Sequence, residues 1–137
     1  MRLSEPEARA RFAAARVLRL ATADADGMPH VVPATFAVAD GTVVIAVDDK
    51  PKRHQDLRRL RNVEANPRVS ALVDEYNEDW TRLWWVRADG TARVLTDEAR
   101  AEPVDRLARK YPRYRATRPA GPVIEITVTR WTGWAWM

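Results

Sequence analysis

Three of the five glycines in this chain follow an aspartate, and each pair falls beside short apolar runs. Asp26-Gly27 ends the turn Asp24-Ala25-Asp26-Gly27, Asp40-Gly41 is a strong two-residue hairpin signal, and Asp89-Gly90 interrupts a longer apolar stretch. Asp-Gly accepts the positive φ angles of the turns whose twist matches flanking antiparallel strands. A chain punctuated in this way folds mainly as sheet.

The runs between the turns read accordingly. Val17 to Ala23 alternates, His30 to Val38 forms a second strand, and Thr42 to Val47 a third. Pro33 inside the second argues for an edge or a bulge, because proline cannot donate to a ladder. Arg68 to Tyr76, Leu83 to Leu95 (one strand, or two broken at Asp89-Gly90) and Val123 to Trp131 complete about six strands, with Asn77-Glu78-Asp79 as a further turn. Helices are expected at three places. Ser4, Pro6 and Glu7 form a capping box that starts one, running to about Ala14. Lys52 to Val63 carries the apolar pair Leu57 and Leu60 and stops at Asn66-Pro67, and Thr96-Asp97-Glu98 opens a third, to about Tyr111. A proline-rich loop (Pro112, Pro119, Pro122) follows. The expected architecture is a single mainly β domain over residues 1–137, an antiparallel barrel or meander with accessory helices.

At 137 residues a single core is affordable without staples. The chain has no cysteine, which removes disulfides and thiolate metal sites and suits a reducing compartment. The N-terminal stretch carries acids and lacks the continuous apolar run of a signal peptide, and no segment reaches the roughly 20 apolar residues of a membrane span. A soluble, cytoplasmic protein is expected.

Charge is concentrated. Lys50, Lys52, Arg53, Arg58, Arg59 and Arg61 place six cations in twelve residues, where an apolar strand ends and a helix begins. Either this is a solvated helix face or it holds an anion, since N–H groups and the helix dipole at such an end favour negative charge. Lys52 and Arg53 would reach a phosphate there; Arg59 and Arg61 face solvent or a longer anionic tail. Arginine outnumbers lysine 20 to 3, a bias that a G+C-rich genome would also produce. Nucleic-acid binding is disfavoured, because the charge does not track a groove and the adjacent Trp84 and Trp85 must face opposite sides of a strand. His30 and His54 lack partners at metal-ligand spacing, and Ser4 and Ser70 read as a cap and a strand residue. No glycine-rich phosphate loop is present. Any redox or group-transfer chemistry is therefore borrowed from a cofactor. No general acid stands out; His30 and Tyr76 are the candidates.

The strand with an internal proline after Asp26-Gly27 (Val31 to Phe36), the basic helix start and NPRVSALV (Asn66 to Val73) resemble the pyridoxamine-phosphate-oxidase-like split β-barrel flavoproteins. KPKR (Lys50 to Arg53), LRRLRN (Leu57 to Asn62), NEDW (Asn77 to Trp80) and RLWWVRADG (Arg82 to Gly90) look like an actinobacterial branch, the PPOX-class F420-dependent oxidoreductases. The resemblance runs from about Leu18 through Trp134. It implies an FMN-binding-like split barrel that is a homodimer, with cofactor sites at the subunit interface and a hydride transferred between deazaflavin F420 (alternatively FMN) and a small substrate. It further implies that the cofactor phosphate lies against Lys52, assisted by Lys50, Arg53 or Arg58. Main chain at Pro33, Ala34, Thr35 and Phe36 would line the ring, with Ala46 and Val47 adding contacts. Trp80, Trp85 and Arg87 of the partner subunit would close the site or pack the dimer core.

Overall fold

The computed structural model describes residues 1–47 and 53–136, with backbone only for 53–57. Helix α1 (Glu5–Ala14) begins as its capping signals require: the Glu7 N–H donates to Ser4 Oγ at 3.3 Å, and α1 buries Ala8 and Phe12. Strands β1 (Leu18–Ala23) and β2 (Pro29–Ala34) form a hairpin. In its turn the Asp24 carboxylate accepts from the Asp26 and Met28 N–H groups, both at 2.9 Å, and Gly27 takes φ +85°. Strands β3 (Phe36–Ala39) and β4 (Thr42–Ala46) are joined through Asp40 (φ +50°) and Gly41 (φ +79°), the double positive-φ turn expected of Asp-Gly.

Helix α2 (Arg53–Ala65) leads to β5 (Arg68–Glu75), and a 3-10 turn at Trp80–Arg82 leads to β6 (Trp84–Leu95). Helix α3 (Ala101–Lys110), a short α4 (Pro112–Ala116) and the long β7 (Val123–Ala135) complete the order. All pairings are antiparallel, and the seven strands make one sheet in the order β2-β1-β5-β6-β7-β4-β3.

That order forces closure. β2 and β3 occupy opposite edges, yet one residue, Thr35, lies between them. Two Cα steps span at most about 7 Å, so the sheet must curl until its edges almost meet. The result is a split barrel. Its interior holds Phe12, Leu18, Leu20, Phe36, Val43, Ile45, Val73, Val86, Ile124 and Ile126. The opposite face of β4 is also covered: Val44 and Ala46 pack with Val104, Leu107 and Tyr111 of the α3 arm.

The structure corrects several expectations. His30 to Val38 is two strands, because the chain leaves one sheet edge at Ala34 and enters the other at Phe36; this raises the count from about six to seven. Pro33 does lie on an edge strand. The stretch after Tyr111 begins with a helical turn, α4, with Pro112 at its first position, where a missing N–H costs nothing. The third helix opens as a 3-10 turn (Asp97–Arg100) before becoming α3. The last strand runs four residues beyond Trp131, pairing Trp131 through Ala135 with Ala88 through Trp84.

Leu83 to Leu95 is one strand from Trp84, and Asp89-Gly90 marks a bulge within its pairing. Asp89 pairs with Arg130 but Gly90 with Val128, leaving Thr129 out of the ladder. A Cβ on Gly90 would sit 2.1 Å from the Thr127 carbonyl oxygen, so only glycine permits this approach. Gly90→Ala should lower the unfolding free energy by about 3 kcal/mol, the upper range for overpacking. Gly27→Ala, whose Cβ would meet nothing within 4 Å, should cost only about 1 kcal/mol of backbone strain. Urea denaturation of the two variants checks the ranking.

Candidate functional site

A cleft of about 270 Å³ opens where the barrel closes. Its apolar walls are Val17, Pro33, Ala34 and Ala46, and its polar groups are Thr35, Arg59 and Tyr114. The seam beside it is held by two tyrosines from the α3–α4 arm. The Tyr111 hydroxyl accepts the Phe36 N–H at 3.1 Å and donates to the Arg16 carbonyl at 2.9 Å, while the Tyr114 and Thr35 hydroxyls share a hydrogen bond of 2.7 Å. Burial raises the Tyr111 pKa, so it remains a neutral phenol able to play both parts.

Four residues expected along a bound ring, Pro33, Ala34, Thr35 and Ala46, meet in this cleft. Two others, Phe36 and Val47, are next to these in the chain and turn their side chains away from the cleft. Phe36 is fully buried inside the barrel, edge-on to Phe12 at 5.1 Å, and Val47 is buried with its N–H donated to the Pro122 carbonyl. Lys50 and Lys52 lie outside the described residues, and Arg53 is described only as the first residue of α2. Arg58 is exposed.

Arg59 differs from the expectation that grouped it with Arg61. Arg61 is exposed, but Arg59 is only 8% exposed and lines the cleft. The phase of α2 explains this. Arg59 shares a helix face with the buried Asn62 and Val63, three and four residues on, and Asn62 Nδ2 anchors that face to Thr22 Oγ1 at 3.1 Å. Tyr114 was absent from the sequence reading altogether. The three-residue spacing of Tyr111 and Tyr114 around Pro112 was the available signal, since it places both rings on one side of a helical turn.

Trp85 and Arg87 stand on the outer face of β6, and Trp80 in the 3-10 turn before it, away from the cleft walls. Trp85 and Arg87 line a groove of about 510 Å³ with Val31, Leu72 and Tyr76; Trp80 and Trp85 line a neighbouring one of about 460 Å³ with Trp134 and Trp136. Arg87 is fixed by Asp89, whose carboxylate accepts from Arg87 Nε at 3.0 and 3.1 Å and from Ser70 Oγ at 2.6 Å. Trp84 faces the other way, against the core and beneath the Arg11 guanidinium. Of the two proton-donor candidates, His30 has its pKa lowered by burial and then by the charges of Arg58 and Arg59, which keeps the imidazole neutral near pH 7. Tyr76 is 75% exposed on the outer face.

Residues 4–135 match the family model of pyridoxamine 5'-phosphate oxidase. The chain belongs to this family. It is 36% identical over 101 residues to a 5a,11a-dehydrotetracycline/5a,11a-dehydrooxytetracycline reductase of Streptomyces rimosus, a match covering 69% of this chain and 68% of that one. Among solved structures, an FAD-binding protein of Mesorhizobium loti superposes with a TM-score of 0.75 at 25% identity, covering 97% of this chain and 95% of that one. The FAD-binding protein of Mycobacterium smegmatis does so with a TM-score of 0.65 at 22% identity, covering 99% and 98%. The family's barrel accounts for the curled sheet described above.

Lys110 sits behind the seam, its Nζ 3.7 Å from the Phe36 ring centroid and donating to the Ala13 carbonyl at 3.1 Å. Burial, with a smaller contribution from the Arg16 charge, lowers its pKa to about 8. Between about pH 8 and the ordinary 10.5, the unfolded chain then holds more protons than the native one, so this residue makes stability rise with pH. The stability of the wild type relative to Lys110→Met should increase across that window and stay level below it. Denaturation series at pH 7, 8.5 and 10 would reveal a flat difference if the ammonium were not disfavoured.

Proposed function

We propose that this chain is an F420-dependent oxidoreductase, transferring a hydride between the deazaflavin coenzyme F420 and a small organic substrate. The observation that carries this reading is the cleft at the barrel closure. It combines thin apolar walls at Pro33, Ala34 and Ala46, suited to a flat ring, with a polar side where the basic helix α2 brings Arg59 to the cleft. When bound, the reduced coenzyme would supply the hydride. The residues of the chain would bind and orient. The main chain from Pro33 to Phe36, with Ala46 and Val47, would flank the ring. Lys52, aided by Lys50, Arg53 and Arg58, would meet the phosphoryl group, and Arg59 would extend that cationic wall.

Family membership and the tetracycline-type reductase of Streptomyces rimosus support oxidoreductase chemistry. A polycyclic enone of the dehydrotetracycline kind is therefore the first substrate to try. The outer sheet face supports a homodimer. Val31 (60%), Tyr76 (75%), Trp80 (59%) and Trp136 (43%) are large apolar side chains left open to solvent on a single chain, and a second copy would cover them. Trp80, Trp85 and Arg87 would then lie at the interface and complete each other's sites. Nothing in this reading requires a membrane, and no helix among the described residues is long and apolar enough to cross one. The setting we propose is the cytoplasm.

A second reading, FMN as the cofactor, is favoured by the FAD-binding neighbour from Mesorhizobium loti. Titration of tryptophan fluorescence separates the two. Saturable quenching at one coenzyme per subunit by F420, with little response to FMN, is expected; equal or tighter FMN binding would overturn the deazaflavin assignment. Single-turnover oxidation of reduced F420 by dehydrotetracycline, simpler enones and quinones would distinguish an enzyme from a coenzyme carrier. Lys52→Ala should weaken F420 binding by about 1–3 kcal/mol, as for loss of a charge-assisted contact. Unchanged affinity would refute the phosphate role of Lys52.

A further inference from the structure

Two of the polar side chains on the cleft wall, Thr35 and Tyr114, are bonded to each other at 2.7 Å. Two hydroxyls bring two hydrogens, and the bond between them consumes one. Whichever of the two donates, the other retains an O–H for a third group. Among the described residues neither hydroxyl has another hydrogen-bond partner, and both residues line the cleft, with Tyr114 also packed against the core of the α3–α4 arm. Tyr111 provides the contrast. Its hydroxyl both accepts and donates within the protein, to Phe36 and Arg16, and it does not line the cleft. The two tyrosines are packed edge to face at 5.6 Å, so the ring of Tyr114 is held in place by a neighbour whose own polar group is already engaged.

We infer that Tyr114 is a binding residue of the cleft: paired with Thr35, it presents one O–H donor to a hydrogen-bond acceptor on the coenzyme. The inference rests on the reading of this cleft as the coenzyme site. It adds to that site a third wall, the α3–α4 arm, which the proline-bearing strand and the basic helix do not supply. Arg59 fixes charge; the hydroxyl pair fixes orientation, because a few directional polar groups in an apolar cleft determine how a flat ligand sits. With either hydroxyl removed, the other keeps its hydrogen but loses the partner that aims it, so each single removal should cost the directed donor.

The test measures the affinity of F420 and of FMN by fluorescence titration, and the melting temperature, for wild type, Tyr114→Phe, Thr35→Val, the double variant and Tyr111→Phe. Tyr114→Phe should weaken binding of the preferred coenzyme about 5–20-fold, the range for a lost hydrogen bond in a cleft, without a lower melting temperature. Thr35→Val should match it, and the double variant should be scarcely worse than either single, as for groups acting as one unit. Tyr111→Phe should do the reverse, lowering the melting temperature and sparing affinity. Full affinity in Tyr114→Phe, while the wild type binds coenzyme, would overturn the inference and leave the coenzyme reading standing. A loss of affinity that tracks a fall in melting temperature like that of Tyr111→Phe would overturn it too. A wild type that binds neither coenzyme would remove both.

Discussion

Strands β2 and β3 are consecutive in the chain and sit at opposite edges of the sheet, and the single residue between them cannot stretch. Everything else in the molecule is arranged around that tether. The sheet curls because the edges must approach; the edges do not zip together because the chain passes between them. A seam is left, where the backbone of Thr35 and Phe36 turns from one ladder to the other. The protein meets the polar groups of that turn with side chains: the Tyr111 hydroxyl accepts the Phe36 N–H, and the Tyr114 and Thr35 hydroxyls pair. The cleft is the part of the seam that remains open.

The same tether explains why the cleft and the fold share residues here. Pro33 has no N–H to waste on an edge strand, and Ala34 and Ala46 are small enough to leave space where larger side chains would fill it. Beneath them, Phe36, Ile45 and Phe12 pack the interior, so the cleft floor rests on a close-packed core. The α3–α4 arm covers the other side of β4 and delivers its tyrosines to the seam. A cation enters from α2, held by a helix face that Asn62 and Val63 keep against the sheet.

Much of this was legible in the chain. The Asp-Gly pairs located the β1–β2 turn, the β3–β4 turn and the β6 irregularity, because each needs a backbone that few other residues adopt. Pro33 marked an edge. The break at Thr35 was not legible, since apolar residues continue on both sides and no turn residue intervenes; the chain changes partners there without reversing direction. Arg59 was hidden among similar neighbours, for composition cannot tell which side of a basic helix will dock. Tyr114 lies 79 residues from Thr35, and no local pattern connects the two. The motifs that carried the family resemblance include the cleft's strand side, whereas the helical arm that completes the cleft lies outside those motifs.

The Tyr111 hydroxyl joins Phe36 across 75 residues and Arg16 across 95. Contacts that far apart along a chain carry a large loop-closure cost and form after local hairpins. The β1–β2 and β3–β4 hairpins can exist without the seam, but the cleft cannot, because its walls are assembled only when the arm between β6 and β7 has folded back. The cleft therefore depends on contacts between parts of the chain far apart in sequence. Any ligand that fitted there would bind completed barrels alone, and by mass action would draw partly folded chains toward completion.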